Sequence, residues 1–379
     1  MDNVFIYNVP RYTGAAQAVE KIFAASANAK QLTANSHVLI KPNLLAKHVP
    51  EAAVTTHPAV LRAVIEALQR RGVHSITVAD SAGGLYNTNT MKAIYKASGL
   101  AAVCEDTGAA LYLACKASPK AVPCGTRVHT FNLIEPLHTA DFIINLPKMK
   151  THVMTGLSCA TKNLFGCIPG LEKAELHMRF PAKQDFGNML VDLCETVKPQ
   201  LHIVDGIMAM EGDGPAGGVP RAAGILAGGE NPYTIDLAMC RIMGLAPANV
   251  PYLAAAISRG LCAEAIDTAL LAGDVEKAEP IKGWLLPRGQ ADTNFSRNVP
   301  PFLRGVVNAG QKAIAPRPKI DRSRCIGCGK CAEICPGKTI MVADKKAHIN
   351  AQGCIRCFCC HEMCPVKAIE VKRFSMFKL

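Results

Sequence analysis

Two cysteine runs near the end of the chain constrain its fold more than any other feature. Each run has the spacing C-x2-C-x2-C-x3-C-P, and the second begins 29 residues after the first. This spacing is typical of bacterial proteins that hold two 4Fe–4S clusters, in which the fourth cysteine of each run ligates the other cluster. The first predicted ligand set is Cys325, Cys328, Cys331 and Cys364. The second predicted ligand set is Cys335, Cys354, Cys357 and Cys360.

The two runs belong to one internal repeat, because their neighbours recur at the same offset. Pro336 and Ile340 of the first copy correspond to Pro365 and Ile369 of the second. This duplicated module resembles the bacterial two-cluster ferredoxins over about residues 319–372. The alternative is a zinc site, but four-cysteine zinc sites usually contain paired C-x2-C knuckles instead of three evenly spaced cysteines followed by C-P.

The remaining cysteines indicate a reducing environment. Cys359 lies inside the second run and breaks its three-residue rhythm, so we predict that it is not a ligand. Eight further cysteines are spread over residues 104–262 without disulfide spacing. No signal peptide is evident in Met1–Pro10, and no apolar stretch approaches the length of a membrane-spanning helix. We therefore expect a cytoplasmic protein with no transmembrane segment, from an organism with an anaerobic lifestyle.

The net charge of +12 raises the question of a nucleic-acid partner. Each oxidised 4Fe–4S cluster with its four thiolates adds about −2, which lowers the total to about +8. Aromatic residues make up only 5% of the chain, and no basic run is interleaved with them. We therefore predict no nucleic-acid binding and interpret the lysines as solvated charges near anionic clusters.

Residues 1–300 alternate between β-rich segments and segments with helical spacing of apolar residues. Predicted strands include Val38–Lys41 and Phe142–Leu146, and Pro58–Arg71 is a predicted amphipathic helix. A strand at Leu201–Val204 is predicted to lead into a loop from Asp205 to Pro220. The alternation predicts an α/β domain with a mainly parallel sheet and helices on both faces.

The pattern divides the chain into three parts. Residues 1–285 form the α/β domain, and residues 286–318 form a connector punctuated by prolines, with a possible short basic helix at Phe302–Ile314. Residues 319–379 form a small C-terminal α+β domain that is ferredoxin-like and holds two clusters.

Polar residues are concentrated after the predicted strand Phe142–Leu146. In open parallel sheets, ligands bind beyond the carboxyl ends of the strands, and lysines and hydroxyls near glycine turns suit a phosphate or a carboxylate. His152 and His177 lie in the same stretch and are candidate catalytic proton donors. The alternative is that these are ordinary solvated loop residues. The candidate residues for binding an anionic substrate are Lys148, Lys150, Ser158, Thr161, Lys162 and Asn163.

The chain lacks the motifs of two common kinds of nucleotide-binding site. The chain contains no G-x4-G-K-[ST] sequence, which excludes a P-loop, and no G-x-G-x-x-G fingerprint, so we do not predict NAD or FAD. A second polar stretch, Glu211 to Pro215, carries carboxylates between glycines and could take a cation or a proton. A solvated turn is an equally good interpretation of that stretch.

Four segments of the α/β part resemble a known family. They are K-P-N-L from Lys41, N-L-P-K-M-K-T-H from Asn145, T-K-N-L-F-G from Thr161, and D-G-I from Asp205 with E-G-D-G-P from Glu211. The chain is similar in these segments, across about residues 1–290, to the family called domain of unknown function 362. That family is often fused to ferredoxin modules, so the resemblance implies an iron–sulfur protein. It implies no particular reaction and no catalytic residues.

Two functions from different classes are compatible with these features. In the favoured hypothesis, the clusters deliver electrons from a redox partner to a reduction of a small anionic substrate in the cleft of the α/β domain. In the alternative, the protein is a non-enzymatic electron carrier or iron–sulfur delivery factor whose α/β domain docks a protein partner. A tight small-molecule pocket would favour the first, and a flat cleft with a large exposed apolar patch would favour the second.

Overall fold

The computed structural model describes residues 3–288 and 315–372. Most of the predicted connector, including the helix predicted at Phe302–Ile314, lies outside the described residues. Within them, no helix is both long and apolar enough to cross a membrane.

A large mixed sheet, mostly parallel, organises the α/β domain. Among the described residues it has ten strands in the order β12-β1-β11-β10-β7-β2-β3-β4, with β8 beside β10 and β9 beside β8. A separate hairpin is formed by β5 and β6. The strands of this domain are β1 (Val4–Asn8), β2 (Val38–Pro42), β3 (Ile76–Val78), β4 (Ala110–Leu111), β5 (Ala117–Ala121), β6 (Thr130–Ile134), β7 (Phe142–Leu146), β8 (Lys148–His152), β9 (Gly156–Ser158), β10 (Leu201–Glu211), β11 (Val219–Gly229) and β12 (Leu271–Gly273).

Helices cover both faces of this sheet, as predicted. The central strands β2 and β7 are buried along their whole length, as expected for parallel strands between two helical layers. Along β2, Val38 and Ile40 pack into one core with α1 to α4, whereas Leu39 packs into the opposite core with α5, α7, α8 and α9. The helices are α1 (Ala15–Ala25), α2 (Pro58–Arg70), α3 (Thr88–Ala97), α4 (Leu100–Thr107), α5 (Ala160–Asn163), α6 (Glu172–Arg179), α7 (Lys183–Val197), α8 (Pro232–Met243) and α9 (Pro251–Ser258).

Two polar segments that were predicted as loops are strands. The prediction of a loop from Asp205 was wrong, because β10 continues to Glu211 and pairs antiparallel with β11, where Glu211 lies opposite Val219. The segment after β7 is also extended: Lys148–His152 forms β8, which pairs with both β10 and β9. Backbone pairing with neighbouring strands, which a local pattern cannot reveal, satisfies the main-chain polar groups of both segments.

The C-terminal domain displays the repeat in its backbone. Strand β13 (Arg317–Ile320) pairs antiparallel with β16 (Ile369–Lys372), and β14 (Ile340–Ala343) pairs with β15 (Lys346–Ile349). The short helices α10 (Lys330–Glu333) and α11 (Cys359–Glu362) occupy equivalent places in the two copies.

The cysteine loops of the two copies also share an unusual conformation. Gly327 and Gly329 have positive φ in the first copy, and Arg356 and Phe358 have positive φ at the matching positions of the second. The two loops therefore follow the same path, although only the first has glycine at the left-handed positions.

Candidate functional site

A cavity of roughly 80 Å³ lies between the two domains, which is enough for several water molecules or a small ligand. One wall comes from the α/β domain, at the ends of β2 and β3, in β8, and in the segment from Ser158 to His177. The opposite wall comes from the C-terminal domain through Ile334, Cys359, Glu362 and Met363. The site therefore depends on contact between two parts of the chain that are far apart in sequence.

Lys150 projects from β8 into this cavity. Its ammonium donates hydrogen bonds to Oδ1 of Asn43 at 2.7 Å and to the carbonyl of Val54 at 2.8 Å. Burial lowers the pKa of Lys150 to about 7, despite the opposing effect of Glu362. Near neutral pH, Lys150 is therefore able both to hold an anion and to release a proton.

Lys162 lies at the end of the short helix α5 and also lines the cavity. Its ammonium lies 4.5 Å from the ring centre of Phe165 and 5.7 Å from that of Phe186. No carboxylate lies within salt-bridge distance of it in the part of the chain that the structure describes. Burial lowers the pKa of Lys162, and Glu362 acts in the opposite direction.

Lys173 is a third cation at the cavity, and it was not among the predicted substrate-binding residues. Its ammonium donates to the carbonyl of Ser81 at 2.9 Å and to the carbonyl of Ile168 at 2.5 Å. Burial lowers the pKa of Lys173 to about 7. Three amines thus face a cavity in which Glu362 is the only carboxylate among the described lining residues.

His152 and Glu362 meet across the boundary between the domains. Nδ1 of His152 accepts the backbone N–H of Met154 at 3.1 Å, which leaves the ring proton on Nε2, 3.3 Å from Oε1 of Glu362. Burial lowers the pKa of His152 to about 4. Burial alone would raise the pKa of Glu362, but His152 and Lys162 oppose it and the pKa falls to about 2. At neutral pH the negative charge therefore lies on Glu362 and the imidazole is neutral.

His177 lies deeper in the same wall. Its ring stacks on Phe186, with 4.3 Å between ring centres, and meets Phe165 edge-on. Burial lowers the pKa of His177 to about 3, helped by the nearby charge of Lys162. His177 is therefore neutral at physiological pH.

Not every predicted substrate-binding residue reaches the cavity. Ser158 and Asn163 line it together with Lys150 and Lys162. Thr161 is fully buried elsewhere, and its backbone N–H donates to Asp236 at 2.9 Å.

Lys148 also lies apart from the cavity. Its ammonium forms an ion pair with Asp205 at 2.8 Å, with both side chains inaccessible to solvent, and donates to the Tyr12 hydroxyl at 3.0 Å. Successive side chains of a strand point to opposite faces, and Met149 is the only residue between Lys148 and Lys150. The register along β8 would place Lys148 and Lys150 on one face, so their divergence follows from the irregular pairing with β10 between Asp205 and Met210.

The thiols of the C-terminal domain surround two separate cavities. Each of the two predicted ligand sets lines one of these cavities, and Cys359 lines neither of them. Backbone N–H groups point at three of the sulfurs: Ala347 at Cys325 (3.4 Å), Thr339 at Cys335 (3.4 Å) and Ala368 at Cys364 (3.2 Å). Such donors stabilise thiolates, which are the ligands that iron–sulfur clusters require.

A single metal ion and an iron–sulfur cluster need different arrangements of thiols. Within residues 3–288 and 315–372, no group of three or more His, Cys, Asp or Glu side chains is arranged to hold one metal ion. A single zinc ion would need its sulfurs about 2.3 Å from one point, whereas a cluster fills the space between four separated sulfurs. The two thiol-lined cavities fit the second arrangement.

Two family models match different parts of the chain. The family model described as "Domain of unknown function (DUF362)" matches residues 38–241, just over half of the 379 residues. The chain belongs to the DUF362 family. A second model, the 4Fe–4S dicluster domain, matches residues 317–365. This DUF362 protein is therefore fused to an iron–sulfur module, as the sequence predicted.

One curated relative of this DUF362 protein is a thylakoid-associated protein of Synechocystis. The two are 37% identical over 232 residues, which cover 59% of this chain and 68% of the relative. The aligned length shows common family membership.

Two solved structures match parts of the DUF362 chain at low identity. A protein from Thermotoga maritima matches with a TM-score of 0.35 and 11% identity, over 56% of this chain and 54% of that one. The lactate racemase apoprotein from Thermoanaerobacterium thermosaccharolyticum matches with a TM-score of 0.36 and 9% identity, over 56% and 51%. The chain spans about half the length of each of these structures.

Each of the two walls of the cavity lies within a different family match. Lys150, Lys162, Lys173 and the two histidines lie in the DUF362 match, whereas Glu362 lies in the dicluster match. The sequence signal for the lysines and histidines of the DUF362 match was a polar stretch after a buried strand. No comparable signal marked Glu362 or Met363, because their role depends on how the domains pack.

Proposed function

We propose that this protein passes electrons from two 4Fe–4S clusters to a small anionic substrate bound in the cavity between its DUF362 and dicluster domains. The observation that carries the proposal is that α11 forms part of the cavity wall. Cys359 and Glu362 of this helix face the cavity, and Cys359 packs with Cys357, a proposed ligand of the second cluster. The proposed acceptor site is therefore adjacent to the proposed electron source.

The proposed cluster ligands are the two sets of four cysteines assigned above. The fit is supported by the two thiol-lined cavities and by the backbone N–H groups directed at their sulfurs. When bound, the clusters would supply single electrons. A two-electron reduction would then take one electron from each cluster and two protons from the site or the solvent.

The cavity amines would bind the substrate's negative charge. Lys162 is the best-placed contact because it lines the cavity and no carboxylate of the described residues lies within salt-bridge distance of its ammonium. Lys150 has a pKa near 7, so it is better matched to proton donation at neutral pH than His152 or His177, which are neutral there. We therefore favour Lys150 as the proton donor and keep the histidines as polar wall residues.

The exposure of the two thiol sets suggests a direction for the electrons. Cys328 of the first set is exposed at the surface, whereas Cys360 of the second set is buried beside the cavity wall. A redox protein or other electron donor would reach the first cluster, and the second would face the substrate. The free cysteines fit a reducing compartment, so the proposal includes an anaerobic, cytoplasmic setting.

The cluster part of this proposal is tested by anaerobic purification and metal analysis. We expect about eight iron and eight acid-labile sulfide atoms per chain. Cys360→Ser should lose about half of the iron, and the matched variant Cys359→Ser should lose none. A preparation containing zinc without sulfide would overturn the proposal.

The substrate part is tested with dithionite-reduced protein and a panel of phosphates, carboxylates and acyl-thioesters. A true acceptor should reoxidise the clusters, seen as recovery of their visible absorbance, and should raise the unfolding midpoint by mass action. Lys162→Ala should lose both effects. A panel without any response would contradict the substrate proposal while leaving the iron content unaffected.

The alternative function is an electron carrier or cluster-delivery factor whose α/β domain docks a protein, and one observation favours a protein partner, although on the dicluster domain. Ile326 and Met341 of the dicluster domain are 60% and 67% exposed, which is high for large apolar side chains. A carrier would reduce a protein acceptor as fast after Lys162→Ala as before, because the cavity would take no part in the transfer.

A further inference from the structure

A second and larger space adjoins the basic cavity. It is a groove of roughly 290 Å³ between the loop after β3, helix α3 and helix α10. Gly83, Ile334 and Met363 line both the cavity and the groove, so the two spaces adjoin at these residues. A ligand that extends from the cavity into the groove would have to pass these residues.

The two spaces differ in chemistry. The cavity carries the amines of Lys150, Lys162 and Lys173, whereas the inner part of the groove is formed by Ile94 and Ile334, which are both buried, together with other apolar side chains. The remaining apolar groove residues are Ala46, Leu85, Ala93 and Met363. The charged groove residues Lys47, Lys330 and Glu333 are exposed, and the half-buried Thr90 is the other polar side chain that lines the groove in the described chain.

Leu85 marks the outer side of the groove. Its side chain is 49% exposed, although leucine is a residue that folding normally buries. It faces a space that also contains Ile94 from α3 and Ile334 from the dicluster domain. An apolar chain lying in the groove would cover all three side chains.

Met363 separates the groove from the cavity at a point where the opposite residue has no side chain. A Cβ atom at Gly83 would lie only 2.7 Å from Sδ of Met363, so a larger residue at position 83 would displace it. Methionine is unbranched and adapts its rotamer at low cost, which suits a side chain that must move aside for a ligand. The passage between the two spaces is thus closed by one flexible side chain.

We propose that the natural ligand of the cavity is an amphipathic anion, with its anionic head among the cavity lysines and an unbranched apolar chain in the groove. This inference rests on the proposed function, because it names the class of molecule that the cavity would accept. The cationic cavity selects the charge of the head, and the apolar floor selects the chain. The groove is open at its outer end, so chain length is limited by the groove's extent and not by a closed wall.

The test is a series of linear carboxylates from acetate to octanoate, titrated calorimetrically into the anaerobic holoprotein. Burial of each methylene should tighten the Kd up to about fourfold, so octanoate should bind at least tenfold more tightly than butyrate. The matched alcohol octan-1-ol should bind at least tenfold more weakly than octanoate, because it lacks the charge. Equal Kd values across the carboxylates would overturn the inference.

Paired variants separate the groove from the cavity. Leu85→Glu should weaken octanoate about tenfold and leave butyrate within about twofold, since only the longer chain reaches this side chain. Val275→Glu, at an apolar residue that is 48% exposed and distant from the groove, is the matched control and should change neither. If carboxylates of every length bind equally and depend on Lys162, the groove inference fails while the cavity proposal stands. If no carboxylate binds and Lys162→Ala changes nothing, both fail.

Discussion

The charge state of Lys150 governs what the cavity can bind. Its pKa of about 7 means that the ammonium is charged below pH 7 and neutral above it. We expect the Kd for a bound anion to rise as the pH increases through 7, approaching a tenfold change per pH unit if the charge is essential. Calorimetric titrations between pH 6 and 9 measure this slope.

Lys173 is the control for that assignment because its pKa is also about 7. Lys150→Met should bind the anion weakly with a flatter pH profile, and Lys173→Met should keep the slope. If the slope disappears only in Lys173→Met, then Lys173 is the titrating residue.

Lys148 and Lys162 should respond oppositely to substitution, although the sequence placed them in one predicted set. Lys148→Ala leaves the carboxylate of Asp205 buried without its cation, which should cost about 3–5 kcal/mol of the free energy of unfolding. Lys162 has no such partner in the described chain, so Lys162→Ala should cost far less and should instead abolish ligand stabilisation. Denaturant unfolding with and without ligand measures both effects. A ligand response that vanishes in Lys148→Ala at an unchanged stability would contradict this division.

Among the elements, the first cysteine loop places two glycines under different constraints. Gly327 and Gly329 both have positive φ, so alanine at either position adds about 1–2 kcal/mol of backbone strain. A Cβ at Gly327 would also overlap the carbonyl of Lys345 in the turn after β14, whereas a Cβ at Gly329 would meet nothing within 4 Å. We expect Gly327→Ala to lose the first cluster, about half of the iron, and Gly329→Ala to retain it. Equal iron contents in the two variants would show that the turn between β14 and β15 moves aside for the added methyl group.

Some strands could be predicted from the sequence and others could not, depending on whether their conformation has a local cause. Strand β7 was predicted with its observed bounds, Phe142–Leu146, because an apolar run, interrupted only by Asn145, identifies a strand that is buried on both faces. The outer half of β10 was missed because Asp205 and Glu211 look like loop residues. Their strand conformation comes from pairing with β11, a long-range contact with no local signature. The cysteine repeat was informative for the opposite reason, since its spacing records a local geometry.

At the scale of the whole molecule, only one of the two walls of the candidate site could be predicted from the sequence. The motif segments in the sequence indicate the wall from the DUF362 domain, including Lys150 and Lys162. Glu362 and Met363 lie about 200 residues further along the chain and are ordinary residues of a cysteine run when considered alone. Their contribution arises from domain packing, in which Val153 of the α/β domain meets Phe358 of the dicluster domain.

This packing should make the two domains unfold together. Nε2 of His361 lies 3.0 Å from the carbonyl of Asp213, Lys367 donates to the carbonyl of Gly218 at 3.0 Å, and a Cβ at Gly217 would overlap the His361 ring. Gly217→Ala should therefore push the domains apart, although its Cβ would also lie 2.9 Å from the carbonyl of Asp213 within the α/β domain. In the wild type, cluster absorbance and far-ultraviolet circular dichroism should be lost in coincident thermal transitions, as two-state unfolding requires.

In Gly217→Ala the cluster signal should be lost at a lower temperature than the circular dichroism, and anion binding should weaken because one wall of the cavity has moved. Gly14→Ala is the control, since its Cβ would meet only the side chain of Val9 at 3.2 Å, far from the boundary between the domains. Coincident transitions in Gly217→Ala, together with unchanged anion binding, would show that the cavity does not require the observed contact between the domains.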